Sequence, residues 1–116
     1  MFGSPRVFAY TGYQVVKRLL DPLIIRVTHY NDIVPRVPFT IMDYRHVGTE
    51  IHYPIFNTWN AYKTCQDLGT AESPGCINMV GSLGVHSHLV YLNVNVSKKC
   101  GYLLYGLDEL TYVFGE

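Results

Sequence analysis

Leu23-Ile24-Ile25-Arg26-Val27-Thr28 is a nearly continuous run of apolar and β-branched residues. Such runs are typical of a strand that is buried on both faces of a sheet. Residues 2–8 predict a short strand before it. Residues 9–20 predict a surface helix, since apolar side chains recur there at roughly helical spacing and basic residues lie near its C-terminal end. We expect this helix to end before the proline at position 22. A strand, a helix and a strand in this order favour a βαβ crossover and a parallel sheet, so the predicted fold class is α/β.

The rest of the chain predicts loops and shorter strands. Residues 31–38 contain Asn, Asp and two prolines, which end the strand in an extended loop, and residues 47–53 predict another strand. Residues 57–82 are mostly irregular, and the apolar stretch 89–96 fits either a helix or a strand by its periodicity. The chain has 116 residues, 48% of them apolar, and shows neither a repeat nor a linker, so we expect one domain over residues 1–116.

Charge and hydropathy exclude several classes of protein. Nine basic residues balance nine acidic ones, so no long-range field favours a nucleic acid or an anionic partner. No stretch approaches the ~20 apolar residues of a membrane span. The residues that follow Met1 lack a basic region followed by an apolar one, so we expect no signal peptide in this chain, and a secreted parent protein would carry its signal upstream.

Three cysteines are present: Cys65, Cys76 and Cys100. The first two close a polar segment that contains glycine and proline, which is the form of a surface loop held by a disulfide. Zinc binding is the alternative interpretation, although no Cys-x-x-Cys pair supports it. In an oxidising compartment Cys100 would then need a partner outside this chain.

Four groups of residues occur in an order and spacing that resemble the fungal class 3 (triacylglycerol) lipases. They are Phe2-Gly3-Ser4-Pro5-Arg6-Val7; residues 26–38 (RVTHYNDIVPRVP); Tyr44-Arg45-His46 with Thr49-Glu50-Ile51; and Ser87-His88-Leu89-Val90-Tyr91. The resemblance extends from Phe2 to about Cys100, and residues 102–116 match nothing in it. It implies a partial α/β-hydrolase fold: the C-terminal half of a mostly parallel sheet with flanking helices.

The resemblance also implies catalytic residues, which follow one another in this family as Ser, Asp and His. Carried onto this chain, the acid is Asp32 and the base is His88, 56 residues later. A carboxylate on one imidazole nitrogen fixes the tautomer, so that the other nitrogen can take the serine proton and return it to the leaving alcohol. By local turn chemistry alone, Asn31-Asp32 is simply a turn.

Three of the four other histidines also need an interpretation. His86 competes with His88 for the role of base, but the residues after His88 fit the family motif better. His86 and His88 could also form a pair of metal ligands, yet no nearby Asp, Glu or Cys completes a site, and the class 3 chemistry needs neither a metal nor another cofactor. We expect His29 and His46 to be structural and to hydrogen bond to the backbone around the acid loop.

The resemblance further implies a lipid substrate and a secreted parent protein. Apolar residues near the two catalytic groups would line the acyl groove and bind a fatty-acyl chain by burial: Val34, Val37, Pro38, Val85 and Leu89. Their alternative role is plain core packing. The substrate would be an acylglycerol or another lipid ester at an oil–water interface, and Cys100 would pair with an N-terminal cysteine that this chain lacks.

The nucleophile that such a hydrolase needs is missing. It would lie in a G-x-S-x-G segment at a strand-to-helix turn, and the nearest imitation is Val80-Gly81-Ser82-Leu83-Gly84, in which Val80 replaces the first glycine. We therefore expect the serine to lie upstream, in a longer parent chain. One hypothesis is a carboxylic-ester hydrolase of which this chain supplies acid and base. The other is a non-catalytic lipase remnant or lipid-interacting module, and an in-frame G-x-S-x-G upstream would favour the enzyme.

We predict that the isolated 116-residue chain hydrolyses no ester above background, because it has an acid and a base but no activated nucleophile. The measurement is turnover of a short-chain nitrophenyl ester. Turnover that Asp32→Asn or His88→Ala abolishes would contradict this prediction.

Overall fold

A computed structural model describes residues 1–66, 75–77 and 81–95 of the chain. In these ranges the regular elements are the helix α1 (Tyr10–Leu20) and the strands β1 (Phe8–Ala9), β2 (Ile25–His29), β3 (Tyr44–Arg45), β4 (Thr49–Tyr53), β5 (Lys63–Cys65), β6 (Val90–Tyr91) and β7 (Val94–Asn95). Short 3-10 turns cover Asp21–Leu23, Val34–Arg36, Thr40–Met42 and His86–Leu89. No helix of the described part is long and apolar enough to cross a membrane.

The central sheet has β2 between two parallel neighbours. β4 pairs with it in parallel from Ile25↔Thr49 to His29↔Tyr53, and Phe2 forms a parallel bridge to Val27 on the other side. The chain therefore passes from residues 1–3 through α1 into β2 as a parallel crossover, and the α/β class is confirmed. The predicted strand over residues 2–8 was wrong in its bounds: only Phe2 bridges to β2, whereas β1 pairs in antiparallel orientation with β3 in a separate two-stranded sheet. The central sheet is mixed, because β5 joins β4 in antiparallel orientation.

The predicted strand at residues 23–28 was wrong at its start and in its burial. Leu23 lies in the 3-10 turn that begins at Asp21-Pro22 and is 76% exposed, and Ile25, the first residue of β2, is 54% exposed. A proline at the start of a turn has a fixed φ and does not continue the preceding helix. The turn Asp21–Leu23 therefore connects α1 to the sheet. The apolar side chains before Arg26 are consequently not part of the core.

Two further elements differ from the sequence prediction. β5 lies within residues 57–82, for which the sequence predicts mostly irregular structure. This strand was missed because the polar edge strand Lys63–Cys65 shows no alternation of apolar residues. Residues 90–95 form a hairpin of β6 and β7 rather than one helix or strand. Leu92 and Asn93 connect the two strands with positive φ of 49° and 62°, which is the conformation of a tight two-residue hairpin turn.

One face of β2 and β4 carries a buried polar network. Arg26 lies opposite Glu50 in the register, and Thr28 lies opposite His52. Glu50 Oε2 is 3.6 Å from Arg26 Nη2, and Thr28 Oγ1 donates to Glu50 Oε1 at 2.5 Å. The Thr28 hydroxyl has only one proton, so it accepts from His52 Nδ1 at 2.8 Å. Paired charges and hydrogen bonds, rather than apolar side chains, join the two strands on this face.

The predicted disulfide between Cys65 and Cys76 is confirmed, with Cα atoms 6.4 Å apart. It ties the segment after β5 to the polar network, because the Ile77 amide donates to Glu50 Oε1 at 3.1 Å. Cys76 and Ile77 are both buried. Cys100 lies outside the described residues, so its pairing stays a prediction.

We predict that the free energy of unfolding decreases as the pH falls from about 6.5 to about 4. Burial, followed by the charges of Lys63 and His29, lowers the pKa of His52 from 6.5 to about 4. Between these values the unfolded chain binds a proton that the folded chain does not, so stability rises with pH across the window and is lost on acidification.

Urea denaturation between pH 7 and pH 4.5 measures this effect, and His52→Gln is the matched control. The loss of stability should be larger in the wild type than in His52→Gln. Equal pH dependence in the two proteins would show that His52 does not contribute.

Candidate active site

Asp32 lies in the loop directly after β2 and is 0% exposed. Its amide donates to the His29 carbonyl at 3.0 Å, and its Oδ1 accepts from the Val34 amide at 2.9 Å. The next residues form the 3-10 turn Val34–Arg36, which the proline at its start favours. The loop thus turns the carboxylate inward at the end of a rigid strand.

His88 lies in the 3-10 turn His86–Leu89, and its side chain is about one-third exposed. Its Nδ1 is 3.1 Å from Asp32 Oδ2. The structure therefore brings together the two residues that the sequence predicts as acid and base. His86, the competing histidine, stacks on Phe56 with ring centroids 5.4 Å apart.

Tyr91 is a third member of this cluster. Its hydroxyl donates a short hydrogen bond to the same Oδ2 atom of Asp32. Burial, the hydrogen bond to Asp32 and the charge of that carboxylate raise the pKa of Tyr91 far above its ordinary value, so the hydroxyl stays protonated and remains a donor. In the sequence Tyr91 is only the last residue of the histidine motif, and nothing around it indicates this contact.

Gly3 is required by the geometry of the same cluster. It has φ of +53°, and a Cβ atom there would lie 2.7 Å from the Tyr91 hydroxyl and 2.9 Å from Asp32 Oδ2. No other residue fits without displacing the carboxylate or its donors. The Gly3 amide also donates to the Val27 carbonyl at 2.9 Å, so the glycine joins the sheet to the site.

Buried polar side chains hold the loop after Asp32. Arg6 donates from its Nη1 to the carbonyl of Pro38 at 3.0 Å and, through a shorter bond, to that of Arg36. His46 Nε2 is 2.7 Å from the Pro35 carbonyl. His29 Nδ1 lies 3.0 Å from the Ser87 carbonyl, and His29 Nε2 lies 2.8 Å from the Phe56 carbonyl. The expectation of a hydrogen bond to backbone in the acid loop is confirmed for His46. His29 also binds backbone, but in the histidine turn His86–Leu89 and at Phe56 rather than in the acid loop.

A cavity of about 460 Å³ borders His88, and its other lining residues are Phe2, Tyr91, Leu92 and Val94. None of the residues predicted for an acyl groove lines it. Four of them are half-buried, namely Val34, Val37, Pro38 and Leu89, and Val85 is 65% exposed. Their role in binding an acyl chain stays a prediction.

Ser82 belongs to the supporting structure around Asp32. Its hydroxyl accepts from Asn31 Nδ2 at 3.2 Å, and its carbonyl accepts from Arg36 Nη1 at 3.2 Å. Residues 81 and 82 form a bend, with no helix after them of the kind that a nucleophile turn needs. Among the described residues, no group of three His, Cys, Asp or Glu side chains could hold a metal ion.

Solved structures identify the fold. Lipase II from Rhizopus niveus matches with a TM-score of 0.68 and 28% sequence identity, over 81% of this chain and 34% of that chain. The chain has the fold of the fungal lipases. A lipase from Rhizopus microsporus var. chinensis matches at a TM-score of 0.68, 27% identity, 81% of this chain and 31% of that chain. The triacylglyceride lipase of Rhizomucor miehei matches at a TM-score of 0.67 and 26% identity, over 82% of this chain and 35% of that chain.

The similarity confirms the resemblance to fungal lipases and the partial α/β-hydrolase fold. No protein-family model and no curated protein sequence matches the chain. The lipase-like chain spans about a third of the length of the solved lipases that it matches.

We predict that Tyr91→Phe lowers the free energy of unfolding of this lipase-like chain by about 1–3 kcal/mol, because it removes one donor from a buried carboxylate. Urea denaturation at pH 7 measures the change. Tyr62→Phe is the matched control, since Tyr62 is 58% exposed, and it should leave the stability unchanged. Equal stability of the two variants would contradict the assigned role of the Tyr91 hydroxyl.

Proposed function

We propose that this chain supplies the acid and the base of a serine-type carboxylic-ester hydrolase that acts on acylglycerols. The observation that carries the proposal is the contact between His88 Nδ1 and the buried Asp32 Oδ2 at 3.1 Å. An imidazole bound to a buried carboxylate through Nδ1 has its Nε2 free for proton transfer. The fungal lipases that share the fold suggest the ester class.

In the proposed reaction, His88 Nε2 takes the proton of a serine hydroxyl as that oxygen attacks the ester carbonyl, and then gives the proton to the leaving alcohol. Asp32 stabilises the imidazolium that forms in between. The acyl-serine is hydrolysed by water that His88 activates in the same way. We propose that the serine belongs to a G-x-S-x-G segment of a longer parent chain.

The character of the surface beside His88 supports a lipid substrate. The cavity there is lined mainly by apolar side chains, including Phe2, Leu92 and Val94. Burial of an acyl chain contributes about 0.8 kcal/mol per methylene, so such a surface favours a fatty ester over a small polar one. We propose that Val34, Val37, Pro38, Val85 and Leu89 extend this apolar surface as the acyl groove.

The disulfide supports a further part of the proposal, which is that the parent protein is secreted. Disulfides such as Cys65–Cys76 persist in oxidising compartments. We propose that Cys100 pairs with a cysteine of the parent chain in the same compartment.

A lipid-interacting module without turnover is the second candidate function. The exposure of Phe2, Leu92 and Val94 favours it, because these side chains could contact lipid without any chemistry. Binding of the parent chain to a triacylglycerol emulsion without release of fatty acid would support this candidate.

The test of the enzyme is hydrolysis of a triacylglycerol emulsion by the parent chain that contains these residues. Asp32→Asn should lower kcat by about 10⁴-fold, because the imidazole is left in the wrong tautomer, and His88→Ala should lower it at least as much. His86→Ala is the matched control and should retain activity. Full activity of Asp32→Asn or His88→Ala would overturn the proposal.

A further inference from the structure

The residues that immediately precede Asp32 and His88 are hydrogen bonded to each other. Ser87 Oγ donates to Asn31 Oδ1 at 2.6 Å. We infer that Asn31 and Ser87 are positioning residues that hold the His88 imidazole against the Asp32 carboxylate. This inference rests on the proposed function, because it assigns them a role in that acid–base pair.

Ser87 is held from two sides. Its hydroxyl binds Asn31, and its carbonyl lies 3.0 Å from His29 Nδ1, while the residue itself is buried. Both partners lie at the end of β2, next to the acid. Since Ser87 and His88 are consecutive, these two contacts fix the backbone from which the imidazole projects.

A second attachment lies just before the histidine turn. The Gly84 amide donates to the Asn31 carbonyl at 2.7 Å, and the Ile33 amide donates to the Gly84 carbonyl at 3.1 Å. A Cβ atom on Gly84 would lie 2.9 Å from Asn31 Cγ, so the glycine leaves space for the Asn31 side chain. The acid loop is thus attached to residue 84 through its backbone and to residue 87 through a side chain.

The histidine turn needs such support because it is short. Its internal hydrogen bonds have the poorer geometry of a 3-10 turn. Both its first residue, His86, and the preceding Val85 are exposed. The His88 ring is positioned by the bond from its Nδ1 to Asp32 and by the backbone beneath it. Without the bond between Asn31 and Ser87, the turn can shift, Nδ1 can leave the carboxylate, and the proton is no longer confined to Nδ1.

The proton position on His88 tests this role, because a merely structural contribution to stability would leave it unchanged in the folded protein. The full chain with ¹⁵N-labelled histidine is studied at pH 8 by ¹H–¹⁵N NMR spectra that report which ring nitrogen carries the proton. We expect the proton on Nδ1 in the wild type. In Ser87→Ala and in Asn31→Ala, the ratio of the Nδ1–H to the Nε2–H form should fall by about fivefold, the factor that corresponds to one ordinary hydrogen bond.

Ser82→Ala is the matched control. It is the same substitution as Ser87→Ala, it removes the other hydrogen bond of the Asn31 side chain, and it affects an exposed residue. The ratio should stay at the wild-type value. If Ser87→Ala does not fold, Asn31→Ala decides, since it removes the same bond at a half-exposed position.

An unchanged ratio in the folded variants of Asn31 and Ser87 would overturn the inference. Asp32→Asn separates this outcome from failure of the proposed function. If Asp32→Asn shifts the proton and the other two variants do not, the acid–base pair stands and the positioning role is wrong. If Asp32→Asn leaves the proton on Nδ1, the pair itself is wrong.

Discussion

The buried carboxylate of Asp32 is the constraint on which the rest of the structure depends. A charged carboxylate that is not exposed to water needs hydrogen-bond donors from the protein itself. Burial of an unpaired carboxylate costs several kcal/mol. Within the part of the chain that the structure describes, three donors meet Asp32: the Val34 amide, the His88 ring and the Tyr91 hydroxyl. They come from the acid loop, the histidine turn and the following hairpin. The contacts that stabilise this part of the chain are therefore the same contacts that form the candidate active site.

The central sheet is held by a second buried carboxylate in a similar way. Glu50 lies between Arg26, Thr28 and the Ile77 amide, so that β2, β4 and the segment after the disulfide meet on its two oxygens. Breaking a buried pair of this kind is costly, because it leaves one charge without its partner. With polar groups fixed at the middle of β2, the loop that follows it has a defined starting point, and Asp32 has a defined position.

The sequence alone predicted the parts of the fold that depend on local signals. The βαβ order followed from periodicity, the end of α1 from Asp21-Pro22, and the loop closed by Cys65 and Cys76 from its composition. The start of β2 was missed because Leu23 and Ile24 resemble strand residues, whereas the proline before them requires a turn. β5 was missed because a polar edge strand acquires its pairing from β4 and not from its own pattern.

The candidate site was predictable only through motifs. Asp32 by itself is a turn residue, and only the resemblance to lipases singled it out as an acid, with His88 as its partner. Gly3, Asn31 and Tyr91 were not predicted, because their roles depend on contacts between segments far apart in the chain: Tyr91 with Asp32, and Asn31 with Ser87. Hydrogen bonds of this kind leave no periodic or compositional signal in one sequence.

The low-field proton NMR spectrum of the chain tests the central claim most directly. A proton held between an imidazole nitrogen and a carboxylate resonates well outside the range of backbone amides. We predict one such resonance from His88 Nδ1–H, retained in His86→Ala and lost in Asp32→Asn. Its absence from the folded wild type, or its persistence in folded Asp32→Asn, would contradict the pairing of Asp32 with His88.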